Sequence, residues 1–434
     1  MYVARARPRP RGRAANPVNT VFLCQRVPYP PDRGDRITTW HLLQHLLDRG
    51  DAVRLACFSE EARDADAVAF LRSRCAEVAA PLLPRGWRKV ASLRGLLTGQ
   101  ALTLPFFAHA GLRRVVDRWC RDRPPDLTYV YSSSMAQYVF RRRGGVKVMH
   151  FAELDSDKWQ QFAQRSGLLG RWLYGREARK LLAFEDAVAH DFDAAVVVSE
   201  VERELFERRI RGVTPTVLPN GVDVDHFRSA GDDQRQPHTL VFTGVMDYEP
   251  NVDGVAWFAD QCWPSIKRRH ADARWLIVGS KPVPAIKALA ALPGVEVTGR
   301  VPATPPYFDR ATVAIAPLRL ARGVQNKVLE AMSMGLPVVA TPQAAQGIGA
   351  APAGTLRVAS TAEATIAVVD DLFADPARAR AQGRAAAEWV RANCRWQNVH
   401  DRLDALLARL GLSLHAAAPR PDRRQPPAGA GTSR

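Results

Sequence analysis

The stretch IAPLRLARGVQNKVLEAMSMGLPVVAT, residues 315–341, decides the fold. It begins inside an apolar strand-like run, VAIAPLR (313–319), and passes through a polar loop. It then continues at helical spacing over 324–334 and turns at Gly335 and Pro337 into a second run, PVVATP (337–342). A strand, a helix and another strand in that order form the unit from which parallel sheets are wound.

The same cycle repeats on both sides. Upstream in the second half lie TLVFTG (239–244), a helix over 251–270, RWLIVGS (274–280) and VEVTGRV (295–301). In the first half, strands are expected at TVFLCQ (20–25), AVRLACF (52–58), EVAAPLL (77–83), LTYVYS (127–132), VKVMHF (146–151) and DAAVVVS (193–199). Ile37, Trp40, Leu43 and Leu47 mark the first helix as amphipathic, with Arg36, Gln44 and Asp48 off its apolar face and Gly50 at its end. The class is α/β. With 434 residues, 47% of them hydrophobic, the chain is long enough for two domains. The polar segment RSAGDDQRQPH (228–238) reads as the linker between them. The expected layout is a disordered basic N-terminus (1–18), a first domain (19–230), a second (231–395), a C-terminal helix (396–412) and a disordered tail (413–434). Helices are expected over 376–393 and 396–410.

A formal net charge of +17 makes the surface attractive to anions: phosphates, nucleic acid or an anionic membrane leaflet. No run approaches the ~18 apolar residues of a spanning helix. The arginines at 5, 7, 9, 11 and 13 are not followed by the apolar stretch of a secretory signal, so a cytoplasmic location is expected. The six cysteines have no zinc-like spacing and the ten histidines no HExxH, so neither metal nor cofactor is expected. The triplets at 64–66, 191–193 and 223–225 have the form DxD, but a helix, a strand entry and a turn account for them.

In two doubly wound domains, ligands gather beyond the carboxyl ends of the strands, which places the site in the cleft between them. Residues 319–330 carry the pattern of a diphosphate cradle. Gly323 lets backbone approach a ligand, N–H groups from about Val324 to Lys327 can hold phosphate oxygens, and Arg319, Arg322 and Lys327 supply cations. Glu330, one turn past Lys327, can accept both hydroxyls of a ribose. The alternative is a sheet-packed helix with a solvated basic start. Gly34, in VPYPPDRGDR (27–36), permits a turn at a helix N-terminus that Asp35 can cap; Arg33 and Arg36 can meet phosphate or an anionic acceptor, or water. HFAELDSDKW (150–159) offers His150, which can equally be a core residue, and Glu153 and Asp155 for acceptor hydroxyls, although Asp155 or Asp157 can cap the next helix.

Residues 315–341 resemble the donor-site helix of the glycosyltransferases of family 4, and PNGVDVDHF (219–227) is similar to that family's NGVD turn. The resemblance runs from about 20 to 395. Within it, RVPYPPDRGDRITTW, FAELDSDKW, TGVMDYEPNVDGVAWF and RGVQNKVLEAM look like the branch of exopolysaccharide sugar transferases that accompany PEP-CTERM sorting. The family implies a GT-B fold, two Rossmann-like domains facing a central cleft, and sugar transfer with retention of anomeric configuration. It also implies a nucleotide-sugar donor and a lipid-linked or polysaccharide acceptor. Glu330 matches the ribose-binding second glutamate of the family's pair. Arg322 stands where the first glutamate belongs, and TGVMDYEPN lacks the family's arginine and lysine, leaving diphosphate neutralisation to Arg319, Arg322 and Lys327.

The resemblance thus assigns catalytic roles to Glu330, Lys327, Arg322 and His150, and donor binding to Gly34, Asp35, Gly244, Arg319, Gly323, Val324, Asn326, Lys327 and Glu330. Acceptor binding falls to Arg33, Glu153 and Asp155. The patches at 85–90 and 141–147 suit an anionic membrane surface, or ordinary solvation. Competing readings are a GT-B sugar-nucleotide epimerase, a scaffold without catalysis, and an anion- or nucleic-acid-binding protein. The last lacks any recognition helix or aromatic RNA-binding motif.

Overall fold

The computed structural model describes residues 17–412 apart from 62, 63, 85, 87, 89–91, 93, 322 and 350; the expected disordered termini and Arg322 therefore lie wholly or largely outside the described residues. Two parallel sheets organise it. The first joins β1 (Asn19–Leu23), β2 (Ala52–Ala56), β3 (Glu77–Ala79), β4 (Leu127–Tyr131), β5 (Val146–Ala152), β6 (Ala194–Val197) and β7 (Thr216–Val217) in the order 3-2-1-4-5-6-7. The second joins β8 (Thr239–Thr243), β9 (Arg274–Val278), β10 (Val295–Gly299), β11 (Val313–Ala316), β12 (Val338–Ala340) and β13 (Leu356–Val358) in the order 10-9-8-11-12-13. Strand order reverses between β1 and β4 and again between β8 and β11, so each sheet has a crevice beyond those strand ends. The fold is α/β with two Rossmann-like domains in the GT-B arrangement.

Helices of eight residues or more are α1 (Gly34–Asp48), α2 (Ala65–Arg72), α3 (Ala110–Asp122), α4 (Asp155–Arg165), α5 (Leu168–Asp191), α6 (Glu200–Arg209), α7 (Glu249–Gln261), α8 (Asn326–Ser333), α9 (Ala362–Ala374), α10 (Pro376–Asn393) and α11 (Trp396–Arg409). The single helix expected over 251–270 is broken after Gln261, and a new helix, Trp263–Arg269, starts with Pro264 in its first turn. Proline has no N–H to continue the ladder and clashes with the preceding turn. The strands at 216–217 and 356–358 are too short to leave a period in the sequence. Arg36, expected off the packed face of α1, is 8% exposed and pairs with Asp64, the residue just before α2.

Further along α1, its surface is covered by α11. The chain leaves the second domain at Cys394, whose carbonyl accepts from Val222 N–H, and Trp396, Val399, Leu403, Leu406 and Leu407 then join the core of the first domain. His41 stacks on Trp396 at 4.1 Å and His45 on His400 at 4.2 Å. The NGVD turn receives this helix: a Cβ on Gly221 would lie 2.6 Å from the Trp396 ring and 2.8 Å from its Cα. Gly221→Ala is therefore expected to cost about 1–3 kcal/mol through overpacking. Thermal unfolding should show a lower midpoint, and an unchanged midpoint would mean that Trp396 is not seated on the turn.

Among the described residues no helix is long and apolar enough to cross a membrane, and no group of three or more His, Cys, Asp or Glu is arranged to hold a metal. Four of the six DxD carboxylates are held by protein donors: Asp64 by Glu60 N–H, Asp191 and Asp193 by the side chain and N–H of Lys147, and Asp223 by the N–H groups of Asp225 and His226.

Candidate active site between the domains

The loop after β11 and the first turn of α8 stand at the second sheet's switch point. Helix α8 begins at Asn326, two residues later than the sequence suggests, because Gln325 is extended (φ −86°, ψ 97°) at the cap position. The Gln325 side chain makes no cap hydrogen bond to this start. Val324 thus precedes the helix and packs against the second domain's core. Within α8, Val328, Leu329, Ala331, Met332 and Ser333 are buried, whereas Asn326, Lys327 and Glu330 form a half-buried face.

That face meets the first domain. Asn220 Nδ2 donates to Asn326 Oδ1 at 3.1 Å, and Thr38 Oγ1 in α1 donates to Asn220 Oδ1 at 2.9 Å. Gly323 has φ +61°, and a Cβ there would lie 2.7 Å from Glu153 Oε1. A side chain at 323 would therefore be strained and would collide with the carboxylate. The structure thus brings Gly323, Asn326, Lys327, Glu330 and Glu153 into one neighbourhood.

Lys327 reaches towards the end of β8. Its Nζ donates to Asn251 Oδ1 at 2.6 Å and lies 4.4 Å from the centroid of the Phe242 ring, while Asn251 Nδ2 donates to the Val245 carbonyl at 2.8 Å. Gly244 is confined by this arrangement: a Cβ would be 2.7 Å from Asn251 Nδ2 and 3.1 Å from Lys327 Nζ. Burial pushes the Lys327 ammonium down to about 7 against the opposing pull of Glu330, and pushes the Glu330 carboxyl up to about 7 against Lys327. Two charges with little solvent, one turn apart, form a site that an anion beside the lysine and hydroxyl donors beside the glutamate would satisfy.

Other expected residues are placed differently. Arg319 is held by both carboxylate oxygens of Asp253 and is half exposed. Asp35 is not the cap of α1. Arg33 occupies that position, and Asp35 sits in the first turn paired with Arg26 at 2.5 Å and Arg33 at 3.0 Å. Burial works to raise the Asp35 carboxyl, but these arginines outweigh it and hold it below its ordinary value. Gly34 faces open space, with no atom within 4 Å of the point a Cβ would occupy. Arg36 pairs with Asp32 and Asp64 at 3.5 Å each.

His150, expected at the loop mouth, is instead inside β5 with no exposed surface. Its Nδ1 is 2.8 Å from the Tyr129 hydroxyl, and burial alone lowers its pKa to about 3, so it is a neutral core imidazole. The strand runs two residues further, and the positive φ of Ala152 (62°) turns Glu153 out toward Gly323. Asp155 begins α4 and accepts from Ser133 Oγ at 3.3 Å. Sequence reasoning does not single out Asn251, Asn220 or Thr38; the first lies in MDYEPN and the second in PNGVD, both conspicuous as segments but without a pattern naming the asparagine.

A cavity of about 340 Å³ lies beside this site, lined from the first domain by Gln161, Arg165 and Arg208 and from the second by Arg319, Gln343 and Gln346.

Residues 33–221 match the family described as Glycosyl transferase 4-like domain, and residues 237–375 match Glycosyl transferases group 1. A curated relative from Mycolicibacterium smegmatis, a GDP-mannose-dependent alpha-(1-6)-phosphatidylinositol monomannoside mannosyltransferase, is 28% identical over 246 residues, 51% of this chain. The match spans 63% of that relative's length. Sucrose-phosphate synthase from Thermosynechococcus elongatus superposes with a TM-score of 0.69 at 18% identity, over 91% of this chain and 99% of that one. WaaG, a glycosyltransferase involved in lipopolysaccharide biosynthesis, gives 0.62 at 16% identity, over 89% and 99%. Anabaena HepE in complex with UDP gives 0.61 at 15% identity, over 90% and 100%. At these identities the solved structures share the fold.

Since Glu330 is the group that raises the Lys327 pKa, Glu330→Gln should move the Lys327 titration midpoint below the wild-type value of about 7. Lysine-selective NMR titration reads this directly. A wild-type midpoint in the ordinary lysine range, or no movement in the variant, would contradict the desolvated pair.

Proposed function

We propose that this chain, whose two halves match glycosyltransferase family models, is a GT-B glycosyltransferase of family 4, a retaining transferase that moves a sugar from a nucleoside diphosphate sugar to a lipid-linked or growing exopolysaccharide acceptor. The observation that carries the reading is the half-buried face of Asn326, Lys327 and Glu330 at a helix start, set against the first domain.

In this reading the diphosphate lies at the first turn of α8, where backbone N–H groups and the Lys327 ammonium meet its oxygens. A bound diphosphate restores the charge that burial suppresses on Lys327. Glu330 accepts from the ribose hydroxyls, and Gly323 and Gly244 leave the room that Glu153 and the Asn251–Lys327 pair occupy. Gly34 on the opposite side leaves room beside the diphosphate. Arg322, in sequence just before Gly323, takes over the contact that the family's first glutamate makes. Arg319 pairs with Asp253, and Asp35 with Arg26 and Arg33; each reaches the donor by exchanging these partners.

Catalysis then rests on stabilising the departing diphosphate, a charge that grows in the transition state. The acceptor hydroxyl enters from the first-domain side past Arg33, Glu153 and Asp155 and attacks the face that the leaving group vacates; the bond to the diphosphate oxygen breaks, and the hydroxyl proton passes to the departing diphosphate. His150 supports the end of β5 from within. The enzyme needs no metal or cofactor, and works in the cytoplasm on acceptors held at the inner face of the membrane. The exopolysaccharide assignment is supported by the resemblance of 26–40, 151–159, 243–258 and 322–332 to that branch of transferases.

Lys327→Ala and Glu330→Ala should each weaken nucleoside diphosphate binding about 10–100-fold, the loss of one charged hydrogen-bonding group. Calorimetry at matched thermal stability measures it; unchanged affinity in both variants would remove the assignment. Incubation with a nucleotide-sugar panel, with and without membrane lipid extract, should give product only when an acceptor is present. Conversion of the donor without one would indicate epimerisation.

A further inference from the structure

The hairpin of α4 and α5 ends in an apolar tip that nothing in the catalytic arrangement uses. Leu168 is 87% exposed, Leu169 80% and Trp172 58%. At about 100° per residue these three fall within one arc of roughly 100° on the first turn of α5. The same arc continues along the helix through Arg176 and Arg179. The tip is a built projection. Trp159 of α4 stacks on Tyr174 of α5 at 5.5 Å, Phe162 packs at 5.9 Å from Trp159, and the later turns of α5 bury Ala178, Leu181, Val188 and Ala189. The hairpin has inward aromatic cement of its own, so the outward leucines and tryptophan are surplus to its packing.

Cations surround the tip. Between residues 158 and 180 stand Lys158, Arg165, Arg171, Arg176, Arg179 and Lys180, against the single carboxylate of Glu177. Glu177 is buried, accepting from the N–H groups of Leu102 and Thr103, so it offsets none of the outer charge. All of those cations except Arg176 are exposed; Arg176 donates to the carbonyls of Gly95 and Gln100. A small convex apolar point ringed by one sign of charge is complementary to the interfacial layer of an anionic bilayer, where leucine and tryptophan enter below the headgroups and arginine and lysine meet phosphate. A protein groove would call for a flatter and less uniformly charged face.

We infer that the tip of the α4–α5 hairpin is a docking surface for an anionic membrane. Arg165 ties the tip to the site, because it lies three residues before Leu168 and lines the 340 Å³ cavity between the domains. Docking at the tip therefore brings the mouth of that cavity to the lipid surface. The patches at 85–90 and 141–147 are not required. This surface deepens the membrane-bound acceptor reading but stands apart from the donor chemistry.

The test is flotation of the full chain with phosphatidylcholine vesicles and with vesicles containing about a third phosphatidylglycerol, using wild type, L168S/L169S/W172S and R171E/R179E. The wild type should float with the anionic vesicles, and each variant should partition at least tenfold more weakly. Calorimetric titration of the same samples with nucleoside diphosphate should give equal affinities, which separates lost docking from lost fold; failure of donor binding in all three would sink the donor reading and leave docking standing. Equal flotation of wild type and variants, or no preference of the wild type for anionic over neutral vesicles, would overturn the docking surface. So would tip-dependent dimerisation of the wild type in sedimentation equilibrium, which would make the tip an interface between copies.

Discussion

A lysine ammonium withdrawn from water at the start of α8 is the interaction on which the rest of the site depends. Lys327 is held by the Asn251 side-chain oxygen and the Phe242 ring, and its pKa is depressed because those contacts replace solvent incompletely. Keeping it there constrains everything around it. The end of β8 must present a glycine at 244, Gly279 must in turn admit the Gly244 carbonyl, and Asn251 must be locked on Val245. The helix itself must begin against the first domain, through Asn326 and Asn220. In the proposed reading the site is thus prepared for an anion before one arrives, the condition under which electrostatic stabilisation costs least reorganisation at the moment of reaction.

The two domains are joined by more than the linker. The crossing of α11 back to the first domain puts Trp396 on Gly221 and so fixes the turn that carries Asn220. Asn220 joins Thr38 of α1 to Asn326 of α8. A helix formed by the last described residues therefore bears on the register of the cleft, and a change in how α11 packs would be felt at the site through a turn of a few residues.

Sequence periodicity reveals the strands that are long and buried on both faces, and the helices between them, because those are the elements whose patterns differ most from loops. It misses the strands at 216–217 and 356–358, and it does not set α5 apart from α4, because exposed leucines and the buried glutamates Glu177 and Glu185 blur the stripe of the longer helix. At the site, the Gly323 to Glu330 segment can be read because its glycine, cation and carboxylate are contiguous. Asn220, Asn251 and Thr38 cannot, since they are brought together with their partners from positions 76 to 182 residues away. His150 is legible as a strand-end histidine, but whether a strand end turns at 150 or at 152 depends on one residue's φ, which no pattern announces.

The central claim is most directly tested by a crystal structure with a bound nucleoside diphosphate. The account predicts phosphate oxygens within hydrogen-bonding distance of the first N–H groups of α8 and of Lys327 Nζ, with the ribose hydroxyls on Glu330. A nucleotide bound elsewhere, with Lys327 still on Asn251 and Glu330 untouched, would contradict it.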